Sequence, residues 1–278
     1  MTSMRSIFVD WRLGRIIMFI LITGSVSFGL GNLWINIILA GLLGATLSAG
    51  GFYLDYLGDY KRDRESGKLS NPIAKGTISP RIGMILIALL LSISIMIGLF
   101  VNIWILLPIG GIIFVISGLI VGILDTPFLR AFSLGLLQAF YVMIGGLMVY
   151  RFELGIILLS LYLFFAMTGG RVLGDIRDLP HDEKTDVMTL PKKYGLQTAG
   201  YFLLINELIA YIFGLLVYFT RIFGIGYLIC IILTIAIGLP MTLFFVYKPS
   251  PKIANIVNMM SFGILGMLFI IGMIVGKV

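Results

Sequence analysis

Apolar stretches of about the length needed to cross a membrane recur along the whole chain and are separated by short polar connections. A hydrocarbon layer of about 30 Å requires roughly 20 apolar residues in a helix. A membrane-spanning β-barrel would show shorter segments of alternating polarity, whereas these stretches are continuous. The pattern therefore predicts an all-α, polytopic membrane protein. Its nine predicted spans are 14–32, 34–57, 80–101, 103–123, 132–150, 154–173, 198–219, 223–246 and 254–276.

The distribution of lysine and arginine predicts how these helices are oriented. The connections alternate between charged and nearly neutral, and all but three of the 20 Lys and Arg residues fall on one side of the predicted bundle. The three exceptions are Arg151, Arg221 and Lys277. Because positive residues accumulate on the cytoplasmic side, the N-terminus and the charged connections are predicted to be cytoplasmic, in a multi-pass protein of the cell membrane.

The composition excludes a soluble protein. Charged residues make up 12% of the chain and hydrophobic residues 59%, while soluble domains carry about 25% charged residues. The net charge of +7 reflects the asymmetry between the two sides and fits anionic lipid head groups. Membrane lipids, and not nucleic acid, are the predicted partners. The single cysteine, Cys230, excludes a disulfide within the chain.

The acidic residues are concentrated at the ends of two predicted spans. Seven of the 13 acids lie in two short segments, and the aspartates of each segment recur at helical spacing. The first triplet is Asp55, Asp59 and Asp63; the second is Asp175, Asp178 and Asp182, with Asp186 following. Such spacing places each triplet on one face of a helix, where like charges repel and destabilise the helix. This arrangement indicates a function for the carboxylates.

Paired carboxylates at the mouth of a helical bundle favour a bound divalent cation. Magnesium takes oxygen ligands and is usually held by one or two carboxylates together with substrate phosphates. Basic residues on the same side of the predicted bundle are suited to phosphate oxygens. The candidates are Lys75, Arg130, Arg171 and Lys192. Together these residues predict a magnesium-dependent site for a diphosphate-containing substrate.

The two long cytoplasmic connections, 58–80 and 174–197, resemble each other. Each begins with a helix end that carries carboxylates and continues through a basic, turn-rich stretch, 70–76 in one and 189–195 in the other. The similarity indicates an internal pseudo-repeat of helical units around a central cavity, an arrangement common in membrane proteins. We predict one domain, 1–278, with both connections contributing to the active site.

The two segments together resemble the signatures of the UbiA-type intramembrane prenyltransferases. The first signature is similar to Asp55-x3-Asp59-x3-Asp63 followed by Asn71-Pro72-Ile73-Ala74-Lys75-Gly76-Thr77-Ile78-Ser79. The second is similar to Gly170-Arg171-x3-Asp175-x2-Asp178-x3-Asp182 followed by Thr189-Leu190-Pro191. The second segment, with its Arg-x3-Asp-x2-Asp spacing and its Thr-Leu-Pro ending, most resembles the archaeal branch of the family that makes digeranylgeranylglyceryl phosphate. The chain departs from the family at Leu54 and Gln138, where asparagines are usual.

The resemblance implies a prenyltransferase that uses Mg²⁺ and a prenyl diphosphate donor. Asp55, Asp59, Asp175 and Asp178 would hold the ions, with Asp63 and Asp182 completing the clusters. Lys75, Arg171 and Arg130 would neutralise the leaving diphosphate. Asp182 is a candidate for deprotonating the acceptor. The archaeal branch implies transfer from geranylgeranyl diphosphate to geranylgeranylglyceryl phosphate in ether-lipid synthesis.

Other functions remain open at the level of sequence. Within the enzyme class, an aromatic acceptor of the quinone type is the alternative to a glycerol phosphate lipid. Outside it, a cation-coupled transporter would also carry acids near its spans. Transporter sites, however, tend to lie near the bilayer midplane. Glu207 is the one acid that falls well inside a predicted span.

Overall fold

The computed structural model describes residues 13–31, 34–65, 71–124, 126–182 and 187–277. In these residues the chain forms nine helices that succeed one another across the bundle. They are α1 (Leu13–Leu30), α2 (Trp34–Glu65), α3 (Pro80–Val101), α4 (Leu106–Ile120), α5 (Pro127–Leu147), α6 (Leu154–Asp182), α7 (Leu190–Phe219), α8 (Ile225–Tyr247) and α9 (Pro251–Val275). A 3-10 turn, Ile103–Ile105, leads into α4.

The helices confirm the predicted all-α membrane fold. Eight of them are long and apolar enough to cross a membrane, and α1 supplies a shorter apolar helix over Ile16–Leu30. No strand occurs among the described residues. Helices α2 and α6 continue past the predicted membrane spans, to Glu65 and Asp182. Both aspartate triplets therefore lie on helix, as their spacing predicts.

The order of the helices places the two aspartate-bearing ends on one side of the bundle. Because consecutive membrane-spanning helices alternate in direction, the ends of the second and sixth helices, α2 and α6, face the same way. The first helix, α1, packs against α2, α5 and α9, and α5 packs against α6. Helix α6 in turn packs against α7 and the first half of α9. Helices α2 and α6 are thus connected through α1 and α5.

Glycines allow the closest helix contacts, as is usual where membrane helices pack. Gly135 of α5 lies against α6, and a Cβ atom at this position would collide with the carbonyl oxygen of Phe164 and with Oγ1 of Thr168. The hydroxyl of Thr168 already donates to that carbonyl oxygen at 2.8 Å. Backbone atoms cannot move aside as a side chain can, so the α5–α6 contact requires glycine at position 135.

We expect Gly135→Ala to lower the stability of the bundle measurably. Overpacking a tight contact costs about 1–3 kcal/mol, which thermal unfolding of the purified protein in detergent would detect as a lower Tm. The matched control is Gly24→Ala in α1, where a Cβ would meet nothing within 4 Å. Equal Tm values for the two variants would contradict the proposed packing constraint.

Two irregularities interrupt the C-terminal helices. Helix α8 contains Pro240, whose ring cannot donate a backbone hydrogen bond. Helix α9 contains a π-helical turn at Ser261–Leu265. Irregular backbone at membrane depth is tolerated where it is buried in protein or lines a cavity, and π-turns frequently occur at functional sites.

Candidate active site

The first aspartate triplet follows one face of the last turns of α2. Asp55 and Asp59 are partly exposed, whereas Asp63 is buried at 6% exposure. A buried carboxylate requires hydrogen-bond donors, and Asn71 supplies one: its Nδ2 donates to Oδ2 of Asp63 at 3.0 Å. The same nitrogen donates to the carbonyl oxygen of Tyr56 at 2.9 Å. Asn71 thereby attaches the connection after α2 to the helix that carries the triplet.

The segment after Asn71 forms a compact turn that presents Lys75. The side-chain Oδ1 of Asn71 accepts from the backbone N–H of Ile73 at 3.0 Å and of Ala74 at 3.3 Å. The turn ends at Gly76, whose φ of +79° lies in the left-handed region that glycine adopts at little cost. Ile73 is buried in a small cluster with Tyr53 of α2. Lys75 is exposed on this turn, four residues after the asparagine that contacts Asp63.

We expect Asn71→Ala to loosen this turn and to reduce activity. The substitution removes two donated and two accepted hydrogen bonds, each worth about 1 kcal/mol, and leaves the Asp63 carboxylate with fewer donors. Turnover and Tm should both fall. Asn255→Ala, at an exposed position of α9, is the control. Unchanged activity in both variants would show that the turn does not support the site.

The second triplet lies at the end of α6 and contains a buried ion pair. Asp175 is 3% exposed, and its Oδ1 lies 3.0 Å from Nε of Arg171, one turn earlier on the helix. Asp178 is exposed and accepts two hydrogen bonds of 2.7 Å from Arg177. The structure therefore brings together Arg171, a predicted diphosphate ligand, and Asp175, a predicted metal ligand. The side chain of Asp182 lies outside the described part of the structure, as does Asp186.

The connection after α6 ends in a turn that matches the one after α2. Helix α7 begins with the turn Leu190–Tyr194 and breaks at Gly195, whose φ of +83° again lies in the left-handed region. In both turns the glycine follows a proline by four residues, and lysines lie between them. Lys192 is half-buried, while Lys193 lies 5.3 Å from the ring centroid of Tyr194. This shared geometry supports the predicted pseudo-repeat.

The start of α5 brings Arg130 towards the second turn. Phe128, two residues before Arg130, contacts Tyr194 with ring centroids 5.6 Å apart. Thr126 caps the helix by accepting from the N–H of Leu129 at 3.3 Å. Arg130 is half-buried on this first turn of α5. The start of α5 and the second turn are therefore in contact, and Arg130 and Lys192 lie on these two segments.

The carboxylates have the right chemistry for magnesium but are not gathered into a ready-made cage. Among the described side chains, no three Asp, Glu, His or Cys residues are placed to hold one metal ion. Magnesium does not require such a cage, because it is commonly bound by one or two carboxylates and completed by substrate phosphates and water. Pairs drawn from each triplet fit that role, provided that a diphosphate supplies the remaining oxygens.

Sequence reasoning missed two contributors to the site. Asn71 belongs to a recognised motif, but its four hydrogen bonds depend on a backbone fold that spacing does not reveal. Arg177, which holds Asp178, was not among the expected ligands. Its position directly before an aspartate was visible in the sequence, yet charged neighbours on a helix do not usually face each other.

The fold and this site define a polytopic membrane protein with paired carboxylate-bearing helix ends and flanking cations. The sequence profile of the UbiA prenyltransferase family matches residues 16–265. The chain belongs to this family, and the expected resemblance is confirmed.

A relative with an assigned activity points in the same direction. Digeranylgeranylglyceryl phosphate synthase of Methanosphaera stadtmanae is 28% identical over 180 residues, which cover 63% of this chain and 64% of that protein. The alignment therefore spans a little under two thirds of that relative.

Solved structures share the fold over nearly the full length. A structure of digeranylgeranylglyceryl phosphate synthase superposes with a TM-score of 0.80 at 23% identity, covering 96% of this chain and 95% of that one. A UbiA homologue from Archaeoglobus fulgidus, bound to GPP and Mg²⁺, superposes with a TM-score of 0.69 at 19% identity, covering 96% and 98%. A homologue from Aeropyrum pernix K1 gives 0.75 at 16% identity, covering 96% and 100%.

Proposed function

We propose that this protein transfers a prenyl group from geranylgeranyl diphosphate to geranylgeranylglyceryl phosphate, a step of archaeal ether-lipid synthesis, and that it requires Mg²⁺. The observation that carries the proposal is the buried Asp175–Arg171 pair at the same side of the bundle as the Asp55 triplet, within a UbiA family chain. The similarity to the Methanosphaera stadtmanae enzyme supports the choice of donor and acceptor.

The proposed reaction needs the bond between the allylic carbon and the diphosphate oxygen to break. Both electrons leave with the diphosphate, and the carbon left electron-poor is attacked by the acceptor hydroxyl oxygen. The hydroxyl proton would then pass to a carboxylate, for which Asp182 is the candidate. Magnesium held by Asp55, Asp59, Asp175 and Asp178, with Asp63 and Asp182 completing the clusters, would act as a Lewis acid towards the leaving group. An apolar interior protects the electron-poor carbon from water.

The basic side chains around the triplets are proposed to bind the diphosphate directly. Arg171 and Arg130 can make paired hydrogen bonds to phosphate oxygens, while Lys75 and Lys192 contribute point charges. The contact of Arg171 with Asp175 supports this role for the arginine of α6. Fixed charges in a site that excludes water act more strongly than in bulk solvent, so they lower the cost of separating the diphosphate from the carbon.

The experiment that tests this function is diphosphate release by the purified protein with Mg²⁺ and geranylgeranyl diphosphate. Two acceptors are compared: geranylgeranylglyceryl phosphate and an aromatic acid of the quinone-precursor type. Release that depends on the glycerol phosphate, with product mass increased by one geranylgeranyl unit, supports the proposal. Release with the aromatic acceptor alone assigns the chain to quinone-type synthesis. Absence of metal-dependent release with either acceptor would refute the function and reopen the transporter hypothesis.

We also propose that the site faces the cytoplasm of the cell membrane. The excess of lysine and arginine on the side of the triplets supports this orientation. Cysteine accessibility tests it, because Cys230 is the single natural cysteine and is buried. A cysteine introduced at Lys75 should react with a membrane-impermeant reagent in inverted vesicles and not in intact cells.

A further inference from the structure

A groove of about 670 Å³ runs along the bundle between α1, α2 and α9. One face of α1 and one face of α2 form most of its wall, and Ile270 and Ile274 of α9 complete it. Of the described residues of this wall, only Ser25 is polar, and its hydroxyl donates to the carbonyl oxygen of Ile22 at 3.3 Å within α1. The groove therefore offers an apolar surface of the size of a small-molecule site.

Glycines keep the groove open. Its wall includes Gly24 of α1 and Gly41 of α2, and a Cβ atom at Gly24 would meet nothing within 4 Å. The groove is open to the surroundings of the bundle, since Ile38 in its wall is 63% exposed. An unfilled space loses the dispersion contacts that its wall atoms would otherwise make. An apolar molecule of the membrane is therefore expected to occupy it.

The groove has about the depth of one leaflet of the membrane. From Phe28 to Ile20 on α1, its wall extends for about 12 Å along the helix axis. The hydrocarbon layer is about 30 Å thick, so one leaflet accounts for about 15 Å. Phe28 lies near the end of α1, and Ile37 of the wall lies near the start of α2. The groove therefore opens at the membrane surface opposite to the aspartate triplets.

A lysine lies at this mouth of the groove. Nζ of Lys277 donates to the carbonyl oxygen of Gly31, directly after α1, at 3.0 Å. It also lies 4.7 Å from the ring centroid of Phe28, which lines the groove. An ammonium group has three N–H donors, so two remain for another acceptor. Trp34, whose ring centroid lies 5.8 Å from that of Phe28, is 68% exposed, as is typical of aromatic residues at a membrane surface.

The charge at the mouth favours an anion. Within the described part of the chain, Lys277 takes part in no ion pair. Arg151, whose Nη1 donates to the carbonyl oxygen of Leu30 at 3.4 Å, is neutralised by Glu153 at 2.6 Å. One positive charge thus remains uncompensated beside the apolar groove.

We propose that the groove binds an anionic phospholipid, with its phosphate at Lys277 and one hydrocarbon chain along α1 and α2. The apolar wall accounts for the chain, the lysine for the phosphate, and the depth for a molecule that stays in one leaflet. The site lies at the opposite end of α2 from the Asp55 triplet, so this lipid is neither donor nor acceptor of the proposed reaction. Its role is structural, because the chain fills the contact among α1, α2 and α9.

A second copy of the chain suits this groove less well. A two-fold contact uses the same surface on both copies, so it would bring Lys277 of each copy into one interface. Like charges across an interface oppose association. A phospholipid supplies the opposite charge instead.

The first test addresses the head group. Phosphatidylglycerol and phosphatidylcholine with the same chains are added to the full-length protein in detergent, and the Kd of each is measured by native mass spectrometry. In Lys277→Gln we expect the Kd for phosphatidylglycerol to rise about fivefold, the usual effect of one basic residue on anionic lipid binding. The Kd for phosphatidylcholine should stay the same, because its choline group compensates the phosphate.

The matched control for this variant is Lys248→Gln. Lys248 also lies over an aromatic ring, that of Tyr247, at 5.7 Å, but at the end of α8 on the side of the triplets. Its removal should leave the fivefold effect of Lys277 unmatched. Equal phosphatidylglycerol Kd values for the two variants, or equal affinity of the wild-type protein for the two lipids, would overturn the phosphate site.

The second test addresses the chain. Gly24→Leu places a side chain in the groove without a clash at Cβ. Phosphatidylglycerol is expected to raise the Tm of the wild-type protein, and in Gly24→Leu this rise should fall to less than about half. Gly110→Leu, at an exposed position of α4 with equally open surroundings, is the control and should keep the full rise.

Two results would contradict the chain site. A full rise in Tm for Gly24→Leu would show that no lipid chain occupies the groove. A dimer in detergent that Gly24→Leu dissociates would assign the groove to a contact between copies and overturn the lipid site.

Discussion

Asp175→Asn is expected to lower prenyl transfer by about 100-fold or more, the usual effect of removing a preorganised electrostatic group from a reacting centre. Asp175 is 3% exposed and paired with Arg171 at 3.0 Å, so its charge is held in place and poorly screened by water. Asparagine keeps the shape but not the negative charge that a divalent cation requires. The measurement is diphosphate release under saturating donor and acceptor.

The control for this variant is Glu153→Gln. Glu153 is also paired with an arginine, Arg151, at 2.6 Å, but it lies at the opposite end of α6 and is exposed. It should retain wild-type turnover. If Asp175→Asn retained more than about a tenth of the wild-type rate, the buried carboxylate would have no part in the metal chemistry proposed here.

Withdrawal of divalent metal is expected to abolish turnover while leaving the fold intact. Activity should fall to background in EDTA and return on addition of Mg²⁺, because the leaving diphosphate would lose its counter-charge. The Tm should change by less than about 2 °C, under roughly 1 kcal/mol for a chain of this size. The reason is that the buried carboxylates have partners within the protein: Asn71 donates a hydrogen bond to Asp63, and Arg171 forms an ion pair with Asp175.

Two outcomes would contradict this prediction in different ways. Turnover that continues in EDTA would show that the aspartates do not act through a metal ion. A large fall in Tm would show that the metal is structural, and the role of the carboxylates would then be to hold the helix ends together.

The sequence predicted the membrane fold well because a helix must have an apolar stretch of about 20 residues to cross the hydrocarbon layer. Each predicted span corresponds to an observed helix, and the two triplets lie at helix ends as expected. The predicted membrane spans are shorter than the helices: α2 and α6 continue into charged sequence, as the spacing of the triplets predicts, and α7 begins eight residues before its predicted span. Membrane hydropathy carries no information about helix that projects into water.

The sequence offered candidate residues for the site but not the contacts between them. Spacing singled out Asp55, Asp175 and the aspartates that follow each of them, since helical periodicity relates residues on one element. Spacing does not relate elements to each other, so the Asn71–Asp63 bond and the groove between α1, α2 and α9 required the folded structure. Lys277 was visible as a cation on the sparsely charged side, yet its contact with the end of α1 was not.

The two turns bounded by proline and a left-handed glycine have an energetic consequence for binding. Proline at the start and the side-chain bonds of Asn71 in the first turn restrict the unbound backbone. Little conformational entropy then remains to be lost when a substrate binds. A flexible loop would lose more entropy on binding, so this preorganisation favours higher affinity. Insertion of a flexible residue between Pro72 and Gly76 would therefore weaken donor binding without removing any charge.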